Sequence, residues 1–184
     1  MLDVDQAGEL KAAFRRGDWT NAEIKKLSEG DILAQVRQVI LGYAEIKLID
    51  HVINCDADPF VPSGWNVIRH KKGRQLKWDP TEISLYLSKK QRDRKVIEGN
   101  ILHKELEKMP VLNANVLDYL LANPHLIPEE WKDKYVFFWG TIYRDSTGYL
   151  SVRYLDWHGG RWHWHGRWLD DDWSDFNPAA LLAS

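Results

Sequence analysis

Residues 135–168, YVFFWGTIYRDSTGYLSVRYLDWHGGRWHWHGRW, decide the fold class. Three runs rich in aromatic and β-branched residues, Tyr135–Tyr143, Tyr149–Trp157 and Arg161–Trp168, are separated by the turn signals DSTG and WHGG. That spacing predicts a three-stranded β-meander. Side chains alternate across a strand, so turn length decides which residues share a face. A three-residue loop with a glycine bulge at each turn pairs Arg144 with Leu150 and Asp156 with Trp162. One face then carries Val136, Phe138, Ile142, Leu150, Val152, Tyr154, Trp162, Trp164 and Trp168 and reads as core. The other carries Phe137, Trp139, Tyr143, Arg153, Leu155, Trp157, Arg161, His163, His165 and Arg167. A two-residue Gly159-Gly160 turn would flip the third strand; the three-residue register separates polarity better and is the expected one.

Working outward, Asn113 reads as the N-cap of a helix with Leu117, Leu120 and Leu121 on one stripe, and Pro128 as the first position of a short helix. Another helix is expected from about Asn100 to Lys108, stopped by Pro110. The first third reads as helical. Thr20 and Glu23 form a capping box, Gly30 closes that helix, Asp31 caps the next, and Ile32, Leu33, Val36, Val39 and Ile40 keep helical spacing until Gly42. Between these helical parts the pattern is β-like. A strand is expected around Ile46–Val52, a hairpin over Trp65–Trp78 turning at Lys71-Lys72-Gly73 with Gly73 left-handed, and a strand through Ile83, Leu85 and Leu87. The expectation is a single α+β domain over residues 1–184: a helical part (1–45), a β-rich centre (46–95), helices (100–132) and the meander (135–170), the helices packing on antiparallel sheet.

Composition narrows the class. The chain has 184 residues, 44% hydrophobic and 28% charged, with one cysteine and ten tryptophans. Disordered, collagen-like and disulfide-framework chains are excluded. Cys55 is alone, so no intrachain disulfide forms and no oxidising compartment is implied; it reads as a small buried residue. No stretch has the length and apolarity of a secretory leader or a membrane helix, so a cytoplasmic protein without a membrane partner is expected.

The net charge of −2 conceals a segregation. Residues 1–68 sum to −4, residues 69–95 to +7 and residues 98–184 to −5. The basic segment, with Arg69, His70, Lys71, Lys72, Arg74, Lys77, Lys89 and Arg92 foremost, suits phosphate contacts, with Trp65 and Trp78 near enough for stacking on bases. Nucleic acid or an acidic protein is the implied partner; the alternative is a solvated surface that balances the acidic flanks. His70 beside Lys71 and Lys72 also suits a general base with cationic phosphate stabilisers, a weaker reading.

A second candidate surface is the mixed face of the meander, Trp139, Tyr143, Arg153, Trp157, His163 and His165, as a ligand or peptide platform, unless the N-terminal helices cover it. His158, His163 and His165 also invite a metal reading. The expected register opposes it, because His165 then lies opposite Arg153 among arginines, so no metal ligands are assigned. Asn54, Asp56 and Asp58 have calcium-loop spacing, but Pro59 and Trp65 occupy the positions that need glycine and glutamate, so these are turn residues. There is no G-x-S-x-G, no phosphate-binding glycine loop and no H-E-x-x-H, so no catalytic residue and no cofactor is assigned. A binding or regulatory module is expected ahead of a small hydrolase or metal-dependent enzyme.

The segments LNANVLDYLLANPHLIPEEWK, FFWGTIYRDSTGYLSVRYLDW and NPAALLAS resemble a family of uncharacterised bacterial proteins frequent in environmental and candidate-phylum genomes. The likeness covers mainly residues 110–184, and more weakly GWNVIRHKKGRQLKWDP. It implies an intracellular bacterial protein and brings no activity or site residues with it.

Overall fold

The structure, a computed structural model, describes residues 3–183. Its contacts divide the chain into two compact units, Met1–Ile49 and Asp50–Ser184. The first is helical: α1 (Val4–Arg16), α2 (Asn21–Leu27) and α3 (Ile32–Ile40). Capping boxes open α1, between Asp3 and Gln6, and α2, between Thr20 and Glu23. Reciprocal bonds of this kind satisfy amide groups that a helix start leaves unpaired. Asp31 precedes α3 without a side-chain cap bond, and none of the three helices buries a residue. No strand forms over Ile46–Ile49. These residues are exposed and find no ladder partner, and β1 (Val52–Asn54) starts later.

The second unit is α+β. It contains β1, β2 (Asn66–His70), β3 (Gln75–Lys77), β4 (Ile83–Tyr86), β5 (Ile97–Glu98), α4 (Gly99–Leu106), α5 (Ala114–Ala122), β6 (Val136–Phe137), β7 (Thr141–Arg144), β8 (Leu150–His158), β9 (Arg161–Trp168), β10 (Asp172–Trp173) and β11 (Ala179–Leu182). A curled seven-stranded sheet runs β2-β7-β8-β6-β11-β4, with β9 on the other edge of β8. Its pairings are antiparallel except β6 with β11, so the sheet is mixed rather than wholly antiparallel. Two small ladders, β1-β3 and β5-β10, complete the unit. Asn113 caps α5 as expected, and a short 3-10 turn over Glu129–Trp131 follows Pro128.

Three sequence expectations are corrected. First, Trp65–Trp78 is not a hairpin: β2 pairs with β7, whereas β3 pairs with β1. Lys71–Arg74 is the corner between the two sheets. It is held by Lys71 N–H donating to Gly140 O at 2.6 Å and Cys55 N–H to Arg74 O at 2.8 Å. The left-handed residue is Arg74 (φ 62°) rather than Gly73, where an added Cβ would make a tight 3.1 Å contact with Cys55 Cβ. Second, Tyr135–Tyr143 is not one strand. Phe138–Gly140 interrupt it, because α5 approaches so closely that a Cβ on Gly140 would lie 2.8 Å from Asn113 Cα. Val136 therefore pairs with Leu155 and Phe137 with Tyr154, the reverse of the expected faces.

Third, the β8–β9 turn has two residues. Gly159 (φ 58°) and Gly160 (φ 80°) supply the two left-handed positions of a mirror-image turn whose twist matches the flanking strands. Trp157 pairs with Trp162, and His158 with Arg161, which flips β9 relative to the expected register. The first turn is as read, with Arg144 opposite Leu150.

The sheet buries apolar residues on both faces. Val136, Leu155 and Trp162 pack with Val116, Leu117 and Leu120 of α5 and with Trp78 and Trp131. Phe137, Trp139, Ile142 and Val152 pack with Leu102 and Leu106 of α4, Leu169 and Trp173. Each buried leucine stabilises the unit by about 2 kcal/mol, so α4 and α5 clamp the sheet from both sides.

Candidate functional site

The fold uses several of the expected anion-binding groups internally. Arg69 Nη1 meets Glu107 Oε1 at 3.0 Å, Lys77 Nζ meets Asp50 Oδ1 at 2.6 Å, and Lys71 Nζ donates to the Met109 carbonyl at 2.6 Å. His70 sits in a polar network, Nδ1 at 2.9 Å from Thr141 Oγ1 and Nε2 at 3.2 Å from Cys55 O, so both ring nitrogens already have partners. These bonds fix the ring between Thr141 of β7 and the Cys55 segment. Lys72, Arg74, Lys89 and Arg92 are exposed.

One cavity gathers part of this charge. It measures about 280 Å³ and is lined by Lys71, Lys72 and Lys108 and by the apolar side chains of Leu76, Pro110, Val111, Leu112 and Leu182. Cys55, Gly73 and Asn113 complete the lining, and among the described residues no carboxylate lines it. Lys71 and Lys72 are brought there by the corner between β2 and β3, and Lys108 by the segment after α4. The sequence reading missed Lys108, which lies outside the basic segment and reaches the cavity only through tertiary folding. Lys89 and Arg92 follow Tyr86, at the opposite end of β4 from Ile83, the partner of the cavity residue Leu182.

Cys55 faces this cavity but is 4% exposed, and desolvation pushes its thiol up to about 11. Only thiolate is alkylated at a useful rate, so a rise from an ordinary 9.0 to about 11 cuts the reactive fraction about 100-fold at pH 8. Iodoacetamide labelling of the native protein at that pH is expected to be slower by at least that factor than labelling in denaturant. Equal rates would contradict the burial.

The expected aromatic platform does not exist as a surface. Trp139 is buried beside Trp173 at 4.7 Å between ring centroids, with the His103 ring stacked at 5.9 Å. Tyr143 is buried under Trp65, its hydroxyl donating to Phe60 O at 3.0 Å. Arg153 is buried against Asp118 of α5. Each of these covering residues belongs to the Asp50–Ser184 unit. Trp157 is half-buried with Lys132 Nζ 4.2 Å above its ring, on the opposite face of the β8–β9 hairpin from His163 and His165.

That opposite face carries a second constellation. Asp156, 7% exposed, places Oδ2 2.7 Å from His158 Nδ1 and Oδ1 3.5 Å from His165 Nε2. One donor atom from each of the three residues lies within 4.8 Å of the others. Asp156 Oδ1 is buried and has no hydrogen-bond partner. The His163 ring stacks on His158 at 3.8 Å, and its Nε2 accepts from Arg161 Nε at 3.2 Å. The expected register, which opposed a metal, put Arg153 opposite His165. In the structure Gly166 is opposite Arg153, and Tyr154 is opposite His165.

The two constellations line separate cavities. Among the described residues, no helix is long and apolar enough to cross a membrane. No family model matches this chain, and no curated protein or solved structure does either, so the reading of function rests on this geometry.

Proposed function

We propose that this protein is a non-enzymatic binding module, acting in the bacterial cytoplasm, that takes an anionic partner on the cavity between Lys71, Lys72 and Lys108. The carrying observation is a cavity lined by three lysines and by apolar side chains, with no carboxylate in its lining among the described residues. Ligand pockets are typically apolar with a few convergent polar groups that fix orientation, and this one is fixed for negative charge. A nucleic-acid strand satisfies both parts, with phosphates against the lysines and a base or sugar against Leu76, Val111 and Leu182. Lys89 and Arg92 then lie beyond the primary contact.

The test is fluorescence anisotropy of a labelled mixed-sequence single-stranded oligonucleotide across a salt series. Lys71 is left intact because its ammonium holds the Met109 carbonyl. Lys72→Gln with Lys108→Gln is expected to weaken binding about tenfold or more and to reduce the salt slope by about 1.4, the contribution of two phosphate contacts on a single strand. Lys89→Gln with Lys90→Gln is expected to cost less. No binding at low salt, or a larger loss from the 89/90 pair, would overturn the assignment to this cavity.

A further inference from the structure

We propose that Asp156, His158 and His165 form a binding site for a divalent transition-metal ion of the zinc class. Two imidazoles and one carboxylate are the donor set that borderline ions prefer over calcium or magnesium, which favour oxygen ligands throughout. The residues come from a rigid source. Asp156 and His158 are two apart on β8 and so project from one face, and His165 reaches the same face from the paired strand β9.

The cluster is more than a surface coincidence of polar side chains. Asp156 is more than nine-tenths buried, and its Oδ1, aimed at His165, lacks any hydrogen bond. A buried carboxylate oxygen without a partner is costly, and protein chemistry ordinarily answers it with a donor or a cation. A metal ion between Oδ1, His158 and His165 answers it directly. Both imidazole side chains are about half exposed, so they can move to reach coordination distance while the buried carboxylate anchors the site.

The surrounding charges permit a cation. Arg161 turns its Nε to His163, Arg167 lies 3.7 Å from Asp171, Lys134 meets Asp133 at 2.5 Å and Lys132 meets Glu129 at 2.5 Å. Asp156 and His158 also line a cavity of about 470 Å³ with Tyr135 and Phe176. Three protein ligands leave further coordination positions for water or an exogenous donor from that cavity, the arrangement of an exchangeable rather than a sealed structural ion.

The experiment is calorimetric titration of the chelator-treated 184-residue chain with Zn²⁺, paired with Co²⁺ titration read by visible absorption. One ion per chain is expected. His165→Gln, at an exposed position, and Asp156→Asn are each expected to weaken Zn²⁺ binding about 100-fold and abolish the cobalt band. His125→Gln, in a different cavity, is expected to change neither. Circular dichroism checks that each variant is folded; if Asp156→Asn is not, His165→Gln decides alone. Absence of stoichiometric binding, or wild-type affinity in His165→Gln, overturns the site.

Discussion

Replacing Asp118 by Asn is expected to destabilise the Asp50–Ser184 unit by about 3 kcal/mol, the low end of the range for breaking a buried ion pair. Arg153 points from β8 onto α5 and is 1% exposed, with Nη1 3.1 Å from Asp118 Oδ2 and Nη2 2.7 Å from Oδ1. Trp164 and Phe60 cover the guanidinium, at 4.2 and 5.2 Å from their ring centroids. Its charge has therefore lost its water, and the bidentate carboxylate and two ring faces replace it. Asparagine keeps the shape but removes the compensating charge, leaving a buried cation. The low end applies because Asp118 is 30% exposed and water screens part of the attraction. In urea the midpoint should fall with little change in slope. Combining Asp118→Asn with Arg153→Met is expected to recover much of the loss, because a well-packed apolar side chain in place of a buried ion pair is often neutral. A wild-type midpoint for Asp118→Asn would show that the pair does not hold α5 to the sheet.

Arg153 also shows why the sequence misled on faces. Sorting the meander by polarity assumed one wet face, but this sheet is covered on both sides by α4 and α5, so the arginine marked burial with a partner rather than exposure. Asp118 was not identifiable as that partner, because it lies 35 residues away on another element. The same assumption chose a three-residue turn at Gly159-Gly160, although paired glycines also fit a two-residue turn. One residue of slip moved Trp162 and Trp164 beside Trp157, and moved His165 from Arg153 to the neighbourhood of Asp156. The imidazole cluster was legible as a string and illegible as a site for that reason alone. Local signals fared better: Thr20 with Glu23, Asn113, Gly42 and the strand at Ile83–Tyr86 are where short-range chemistry places them, whereas α2 stops at Leu27, ahead of Gly30. Long-range pairing was not available from local pattern. The parallel contact of β11 with β6, and the divergence of β2 and β3 into different sheets, depend on partners far along the chain. The basic segment was legible as charge, but only the fold selects Lys71 and Lys72 and adds Lys108.

Asn113 links stability to the cationic cavity, and Asn113→Ala is expected to cost about 2–4 kcal/mol while weakening anion binding without removing a charge. Its buried Nδ2 donates to both Cys55 O and Lys71 O at 2.9 Å, and its Oδ1 accepts from Asn115 N at 3.2 Å, capping α5. Alanine leaves the Lys71 carbonyl without a donor, at about 1–3 kcal/mol, leaves Cys55 O to His70 Nε2 alone, and removes a cap typically worth about 1 kcal/mol. Asn113→Asp tests the direction of the bonds: it keeps the oxygen that caps α5 but turns a carboxylate oxygen toward the two carbonyls, so it is expected to be at least as harmful as alanine. Those carbonyls belong to the two segments that join at the cavity wall, so loosening them is expected to let the Lys71-Lys72 segment shift relative to Lys108. Oligonucleotide affinity should then fall while the salt slope stays near wild type, because every ammonium group remains. That pattern differs from Lys72→Gln with Lys108→Gln, which lowers both. A loss of slope in Asn113→Ala equal to that of the lysine variant would mean that Asn113 does not act by holding the corner.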